Sequence, residues 1–228
     1  MLGSISRVLI LIPFFSYSLI QNDTISSVDL DEVVVKSAKI VSSKKNTPLS
    51  ISSKNLFYDQ QFSQQLSLQE YLNNIPGVFS TSANNFSQDL RLSIRGFGAR
   101  SSFGIRGIKI IVDGIPQTSP DGQTQLDNLP MGIMETIEVI RGPSANLYGN
   151  SSGGVITIST ISGDSDNITN YKGIIGSYDY KSVVRLKTFN WENTDLVLYY
   201  DNKESNGYRE WSGHKNQTIN LKLSHNFS

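Results

Sequence analysis

Apolar and polar positions along the chain fall into four successive patterns. The first is a short apolar run, Val8 to Phe15, placed behind the cation Arg7 and ahead of the small residues Ser16 and Ser18. That is the layout of a secretory signal peptide, and the run is well short of the ~20 residues that a membrane-spanning helix needs. Residues 1–18 are therefore expected to direct export and to be removed. The second pattern, over residues 19–65, is polar and rich in Ser, Lys and Asn. Its exception is the β-branched run Val33 to Val35 in "DLDEVVVKSAKI", for which no strand partner is evident nearby. An extended segment free for edge pairing is predicted there, joined to the third pattern by a flexible linker around "VSSKKNTPLSISS".

The third pattern, residues 66–162, mixes periods. In "LSLQEYLNNIPGV" the residues Leu68, Tyr71, Leu72 and Ile75 share one helix face, and Ser67 and Glu70 stand at capping-box spacing. Pro76 and Gly77 stop the helix. Strands are predicted at Arg91 to Ile94, Ile108 to Val112, Thr136 to Ile140 and Val155 to Thr160, with short turns or helices around "LPMGIMET" and "PSANLYG". Strands interleaved with short helices describe an α+β domain of ~100 residues. The fourth pattern begins near residue 170, with long runs rich in tyrosine and asparagine. In "QTINLKLSHNF", Ile219, Leu221 and Leu223 share one face while Asn220, Lys222 and Ser224 share the other; "DLVLYY" alternates less cleanly. Transmembrane β-barrel strands read this way, and so does a one-sided antiparallel sheet. Alternation alone does not choose between them.

Charge and composition narrow the function classes. Lys plus Arg equals Asp plus Glu at 20 each, so no net field gathers nucleic acid or an acidic membrane surface. Cysteine is absent, which removes thiolate metal sites, cysteine nucleophiles and disulfides. Stability must come from the core or from partners. "GDSDN" at 163–167 hints at a calcium loop, but a loop begun at Asp164 would need a carboxylate where Ile175 stands. His214 and His225 lack an accompanying carboxylate cluster, and no G-x-S-x-G elbow is present. Nothing in the chain reads as an active site, and no metal or cofactor is implied.

One loop carries more information. "RLSIRGFGARSSFGIRGIKIIVDGIP", residues 91–116, passes from strand to strand through a stretch rich in glycine and arginine. "GFGARS" begins like a dinucleotide fingerprint, but Ser101 replaces the third glycine and "SFGIRG" is a poor helix start. Without that helix there is no dipole for a pyrophosphate. Tight turns account for Gly96, Gly98, Gly104 and Gly107. They do not account for Arg95, Arg100 and Arg106.

Taken in order, "DEVVV" (31–35), "SIRGFG" (93–98), "IIVDGIP" (110–116), "LP" (129–130) and "IEVIRGPSANLYGNSSGGVITI" (137–158), followed by alternating strands, resemble a TonB-dependent outer-membrane receptor. The resemblance implies a TonB box, an α+β plug domain built on a small mixed sheet over residues 66–162, and the first antiparallel strands of an incomplete transmembrane β-barrel from residue 163. Asp31, Glu32, Val33, Val34 and Val35 would form the box, adding as an exposed strand to a sheet edge of TonB. Arg95 and Arg141 would latch the plug to acidic groups on the barrel wall, or turn to solvent or Glu138 where those acids are lacking. Phe97, Arg100, Ser101, Phe103, Arg106, Gln117, Asp121 and Gln123 would present arginines, aromatics and polar groups at the plug apex to an anionic chelate.

The implied partners are TonB, a small chelate such as a ferric siderophore, and outer-membrane lipid, with no nucleic acid and no cofactor. The implied location is the outer membrane of a diderm bacterium, and the implied role is transport, not catalysis. A non-transporting binding or signalling receptor that kept the plug is the alternative. Two departures are visible. A plugged transporter barrel has about 22 strands and needs roughly 200 residues for them, whereas 66 follow Ser162, enough for about four. A fragment or truncated product is therefore expected. "DEVVVKSAK" also lacks the continuation and the preceding sandwich domain of the family's glycan importers, which favours a chelate.

Overall fold

The computed structural model describes residues 34–35, 42–43, 48–81, 90–101, 104–124, 126, 128–143, 145–149, 151–163 and 167–227, all within the unit Glu32–Ser228. The expected signal peptide, Asp31 to Val33 of the expected box, Phe103, and most of the "GDSDN" turn lie outside the described residues.

The elements are β1 (Val34–Val35), β2 (Ser42–Ser43), β3 (Ile51–Asn55), α1 (Phe57–Phe62), α2 (Gln69–Leu72), β4 (Val78–Thr81), β5 (Arg91–Ile94), β6 (Ile105–Arg106), β7 (Ile108–Val112), β8 (Ile115–Pro116) and β9 (Gln123–Thr124). A 3₁₀ turn at Met131–Ile133 then leads into β10 (Met134–Arg141), followed by α3 (Ala145–Tyr148) and β11 (Gly154–Thr160). Four longer strands end the chain: β12 (Thr169–Ile175), β13 (Lys181–Trp191), β14 (Thr194–Ser205) and β15 (His214–His225).

The central sheet has the order β3-β10-β11-β7-β8. Its β11–β7 pair is parallel, with Ile156 opposite Ile110, and its other pairs are antiparallel. Ile108, Ile110, Ile137, Val139, Ile156 and Ile158 point to one face and are buried against Leu56, Leu68, Tyr71, Leu72 and Ile75. Ile51, Ile111, Ile140 and Val155 are buried on the opposite face. Burial on both faces is why "IEVI" and "GVITI" read as near-continuous apolar runs instead of alternating. Each of these side chains contributes about 1.5–3 kcal/mol relative to exposure.

The sheet begins earlier than residue 66. β3 lies in the stretch expected to be a flexible linker, and it pairs with β10 from Ile51 opposite Ile140 to Asn55 opposite Thr136. Main-chain bonds hold it, and Ile51 is its one buried side chain, so its polar residues carry no sign of order.

The predicted helix shrinks to the single turn of α2, although Leu68, Tyr71, Leu72 and Ile75 are all buried as the spacing implied. Its capping is shared. The Ser67 hydroxyl oxygen accepts from Gln69 N at 3.3 Å. The Glu70 carboxylate accepts from Leu66 N (2.7 Å) and Ser67 N (3.4 Å) through Oε1, and from Gln64 N (3.0 Å) and Gln65 N (3.2 Å) through Oε2. One carboxylate thus organises the whole approach to the helix. Burial pushes the Tyr71 phenol up to about 12, against the opposing effect of its 3.0 Å hydrogen bond with Ser63.

β12 to β15 form an antiparallel meander in chain order. Ser182, Val184, Leu186, Thr188, Tyr199, Asp201, Lys203 and Ser205 are buried on the side facing the plug. The opposite face carries Ile219, Leu221 and Leu223, which are 80, 66 and 62 % exposed. β15 thus turns its apolar side outward, which is the polarity of a barrel strand, whereas β13 exposes Lys181, Arg185 and Lys187 on that same face and buries Val184 and Leu186 toward the plug. Among the described residues no helix is long and apolar enough to cross a membrane.

Candidate functional site

At the end of the central sheet away from the Asp113–Gly114 turn, two loops converge. β5 closes on itself through Ile94 N to Phe97 O and Phe97 N to Ile94 O, both 3.0 Å, with Arg95 and Gly96 at φ 50° and 87°. Positive φ at both central residues suits a two-residue hairpin turn, and arginine is an unusual occupant of the first. Gly98 follows at φ 91°, and a Cβ there would stand 2.6 Å from Leu92 O and 3.3 Å from Arg106 O. Only glycine lets this loop lie against β6. β6 in turn pairs with β9, setting Arg106 opposite Gln123, while Asp121 Oδ1 accepts from Gln123 N at 3.1 Å.

The expected ligand residues are thus partly assembled. Phe97, Arg106 and Gln123 share this end; Phe97 also crowds Gly153, where an added Cβ would meet its Cβ at 2.6 Å. Arg100, Arg106, Gln117 and Asp121 are exposed, with Ser101 and Gln123 partly so. The guanidinium groups of Arg100 and Arg106 are neither hydrogen-bonded nor ion-paired among the described residues.

Arg95 and Arg141 flank one turn. A Cβ on Gly77 would lie 3.6 Å from Arg141 Cδ and 3.7 Å from Arg95 Cγ. Arg141 donates from Nη1 to Pro76 O at 2.8 Å, and Arg95 N donates to Gly77 O at 2.9 Å. Arg95 Nη2 reaches Ser50 Oγ at 3.4 Å. Neither arginine is paired with a carboxylate among the described residues, Glu138 included.

The contacts that do join plug to wall run between other residues. Lys222 of β15 sits 3.1 Å from Asp113 Oδ2 and donates to Thr160 Oγ1 at 2.9 Å. Lys172 of β12 donates to Gln60 O (2.6 Å) and Ser63 O (2.7 Å). Gly132 N donates to the Tyr199 hydroxyl at 3.2 Å, which donates on to Asp201 Oδ2 at 2.8 Å, itself 2.8 Å from Lys203 Nζ. Ile133 packs beside Val184, Leu186, Val197 and Tyr199. Sequence reasoning placed Lys222 on the polar face of its strand, which was the one available signal; which plug atoms it meets is long-range information.

The expected box is not the free strand anticipated. Val34 and Val35 pair with Ser43 and Ser42, and Val35 is fully buried with Ile51, Ile111, Ile140 and Val155. Its ladder partner is a pair of serines, invisible to a search for apolar strands. Among the described residues no group of three or more His, Cys, Asp or Glu is arranged to hold a metal.

A family model described as TonB-dependent Receptor Plug Domain matches residues 43–155. The chain is 32 % identical over 103 residues to the vitamin B12 transporter BtuB of Vibrio vulnificus, covering 45 % of this chain and 16 % of that protein. It is 36 % identical over 94 residues to the hemin receptor of Yersinia enterocolitica, covering 40 % of this chain and 12 % of that protein. Its fold is similar to the ferric yersiniabactin uptake receptor FyuA of Yersinia pestis, with a TM-score of 0.62 and 20 % identity over 77 % of this chain and 28 % of that one. The chain spans less than a third of each of these relatives. With its plug sheet over the matched residues and an antiparallel meander of four strands after it, the chain is part of a TonB-dependent receptor, of which it carries the plug domain and four strands.

Proposed function

We propose that this chain is the plug and first wall strands of a receptor that imports a metal chelate across the outer membrane under the drive of TonB. The observation that carries the reading is the plug–wall boundary, which consists of discrete hydrogen bonds, an Asp113–Lys222 ion pair and one small apolar cluster. Such a boundary can be broken and remade contact by contact, as an importer's plug must be. Vitamin B12, hemin and ferric yersiniabactin, the ligands in the relatives' names, are all metals held in organic chelates. Members of the family are outer-membrane proteins of Gram-negative bacteria, and a binding and transport role, not catalysis, fits them.

In this reading the Arg100 and Arg106 loops meet the anionic face of the chelate through charge-assisted hydrogen bonds. Asp31 to Val35 is the TonB-binding strand, held back by the β1–β2 ladder until it is freed to pair with a sheet edge of TonB. Arg95 and Arg141 await acidic partners on further wall strands. Uptake of ferric and cobalt chelates by cells bearing the complete receptor, with and without TonB, tests the proposal. TonB-dependent accumulation is expected; surface binding without accumulation in either strain would mark a binding or signalling receptor instead.

A further inference from the structure

Away from the arginine loops, the connections 176–180 and 206–213 meet Gln64 and Leu66 of the plug around a cleft of about 510 Å³. That size suits a small molecule, for which sites run to roughly 300–1,000 Å³. The frame of the cleft is internally bonded. Ser205 Oγ donates to Tyr178 O and accepts from Gly207 N, both at 3.1 Å, and Asn206 N donates to Tyr178 O at 3.0 Å. Ser212 Oγ donates to Arg209 O at 2.8 Å, and the Tyr180 hydroxyl donates to Gln64 O at 3.2 Å. The rings of Tyr178 and Tyr208 meet edge to face with centroids 6.4 Å apart.

What the frame leaves over is specific. The hydroxyls of Ser177, Tyr178 and Tyr208 make no hydrogen bond among the described residues, and none of the lining side chains is charged. The nearby Arg209 guanidinium is held over the Tyr208 ring at 5.4 Å. In the same connection Trp211 is 99 % exposed.

We propose that this cleft binds a neutral, hydroxyl-bearing ring of the hexose type. The C–H face of such a ring packs on flat aromatic faces, and its hydroxyls exchange hydrogen bonds with Ser177, Tyr178 and Tyr208. A carboxylate or catecholate would shed its hydration with no lining cation to replace it. A purely apolar ligand would leave those hydroxyls unpaired. The site is separate from the arginine loops and does not rest on the chelate reading: sugar binding to the purified chain and chelate uptake by cells can each fail without the other.

The test is saturation-transfer NMR and calorimetry on the 228-residue chain in a detergent without a sugar headgroup, using the methyl glycosides of glucose, galactose and mannose, with 2,3-dihydroxybenzoate as an anionic planar comparison. At least one glycoside should bind while dihydroxybenzoate does not. Tyr208→Ala should weaken that glycoside ~10-fold, and Tyr208→Phe should fall between it and the parent. Tyr208 is about half exposed, so neither change removes a core side chain. Failure of all three glycosides, tighter binding of dihydroxybenzoate, or indifference to both Tyr208 variants would overturn the assignment.

Discussion

Asp113 in the turn between β7 and β8 and Lys222 on β15 form an ion pair across the plug–wall boundary, 3.1 Å from Oδ2 to Nζ. Asp113 also accepts from Thr160 N at 2.8 Å, so one carboxylate ties a turn, the end of β11 and the wall together. Because both side chains are roughly a quarter exposed, the ion pair alone is worth little, and most of the effect of losing Asp113 should come from the stranded Thr160 and Lys222 donors. Asp113→Asn keeps a residue that tolerates its φ of 47° and is expected to cost about 1 kcal/mol. Asp113→Ala loses the acceptor as well and should cost about 2–3 kcal/mol. Denaturant unfolding of the chain in detergent separates the two; equal losses would argue that charge alone matters.

Tyr71 predicts an alkaline transition. Its phenol is held neutral by burial, with its pKa raised from 10.0 to about 12 in the folded chain. The neutral form is the one the fold favours, so its contribution of roughly 2–3 kcal/mol is fully present below pH ~10 and is lost as pH rises through about 12. Tyr71→Phe should flatten the fall in stability over that window. An unchanged alkaline limb in the variant, followed by circular dichroism, would place the loss elsewhere.

Gly98 and Gly96 make a controlled pair. Both have strongly positive φ, but a Cβ at 98 strikes Leu92 O at 2.6 Å while a Cβ at 96 meets nothing within 4 Å. Gly96→Ala should cost about 1–2 kcal/mol from backbone strain, and Gly98→Ala should cost more because backbone must move as well. Equal costs in equilibrium unfolding would show that the loop yields freely.

Val34→Pro removes a donor from the β1 ladder and from any strand that the box adds to a partner sheet. The complete receptor carrying it should keep surface binding of its ligand and lose uptake. Normal uptake would exclude residues 31–35 as the TonB-binding strand.

Arg100→Ala together with Arg106→Ala should weaken an anionic chelate more than a neutral one by tenfold or more, since each charge-assisted bond is worth about 1.5–3 kcal/mol. Calorimetry on the complete receptor reads this directly. Parallel losses for both ligands would return the loop to a structural role.

How much of this was legible depended on whether side chains or main chain held each element. β5 and β7 fall where the apolar pattern put them, at Arg91–Ile94 and Ile108–Val112, because their side chains fill the core. β1 falls within the extended run read at Val33 to Val35, but its partner β2 escaped, and so did β3, because short strands with few buried side chains are secured by ladder bonds, which polar residues make as well as apolar ones. The alternation of β15 was visible, but which of its faces met water was not, since that depends on the plug behind Lys222 and not on the strand itself. The neighbours of Arg95 and Arg141 were illegible for a similar reason: spacing names cations, and only packing names what they touch.

The turn at Arg95–Gly96 holds a residue its geometry does not favour. Asn-Gly is the dipeptide that such a hairpin prefers, and an arginine at φ 50° costs about 1–2 kcal/mol relative to a residue at ease there. Arg95→Asn should therefore make the chain harder to unfold while removing the guanidinium beside Ser50 and Gly77. If that variant is both more stable and less able to import, stability and transport are opposed at this position, and the tension retained in the turn is a working part of the receptor.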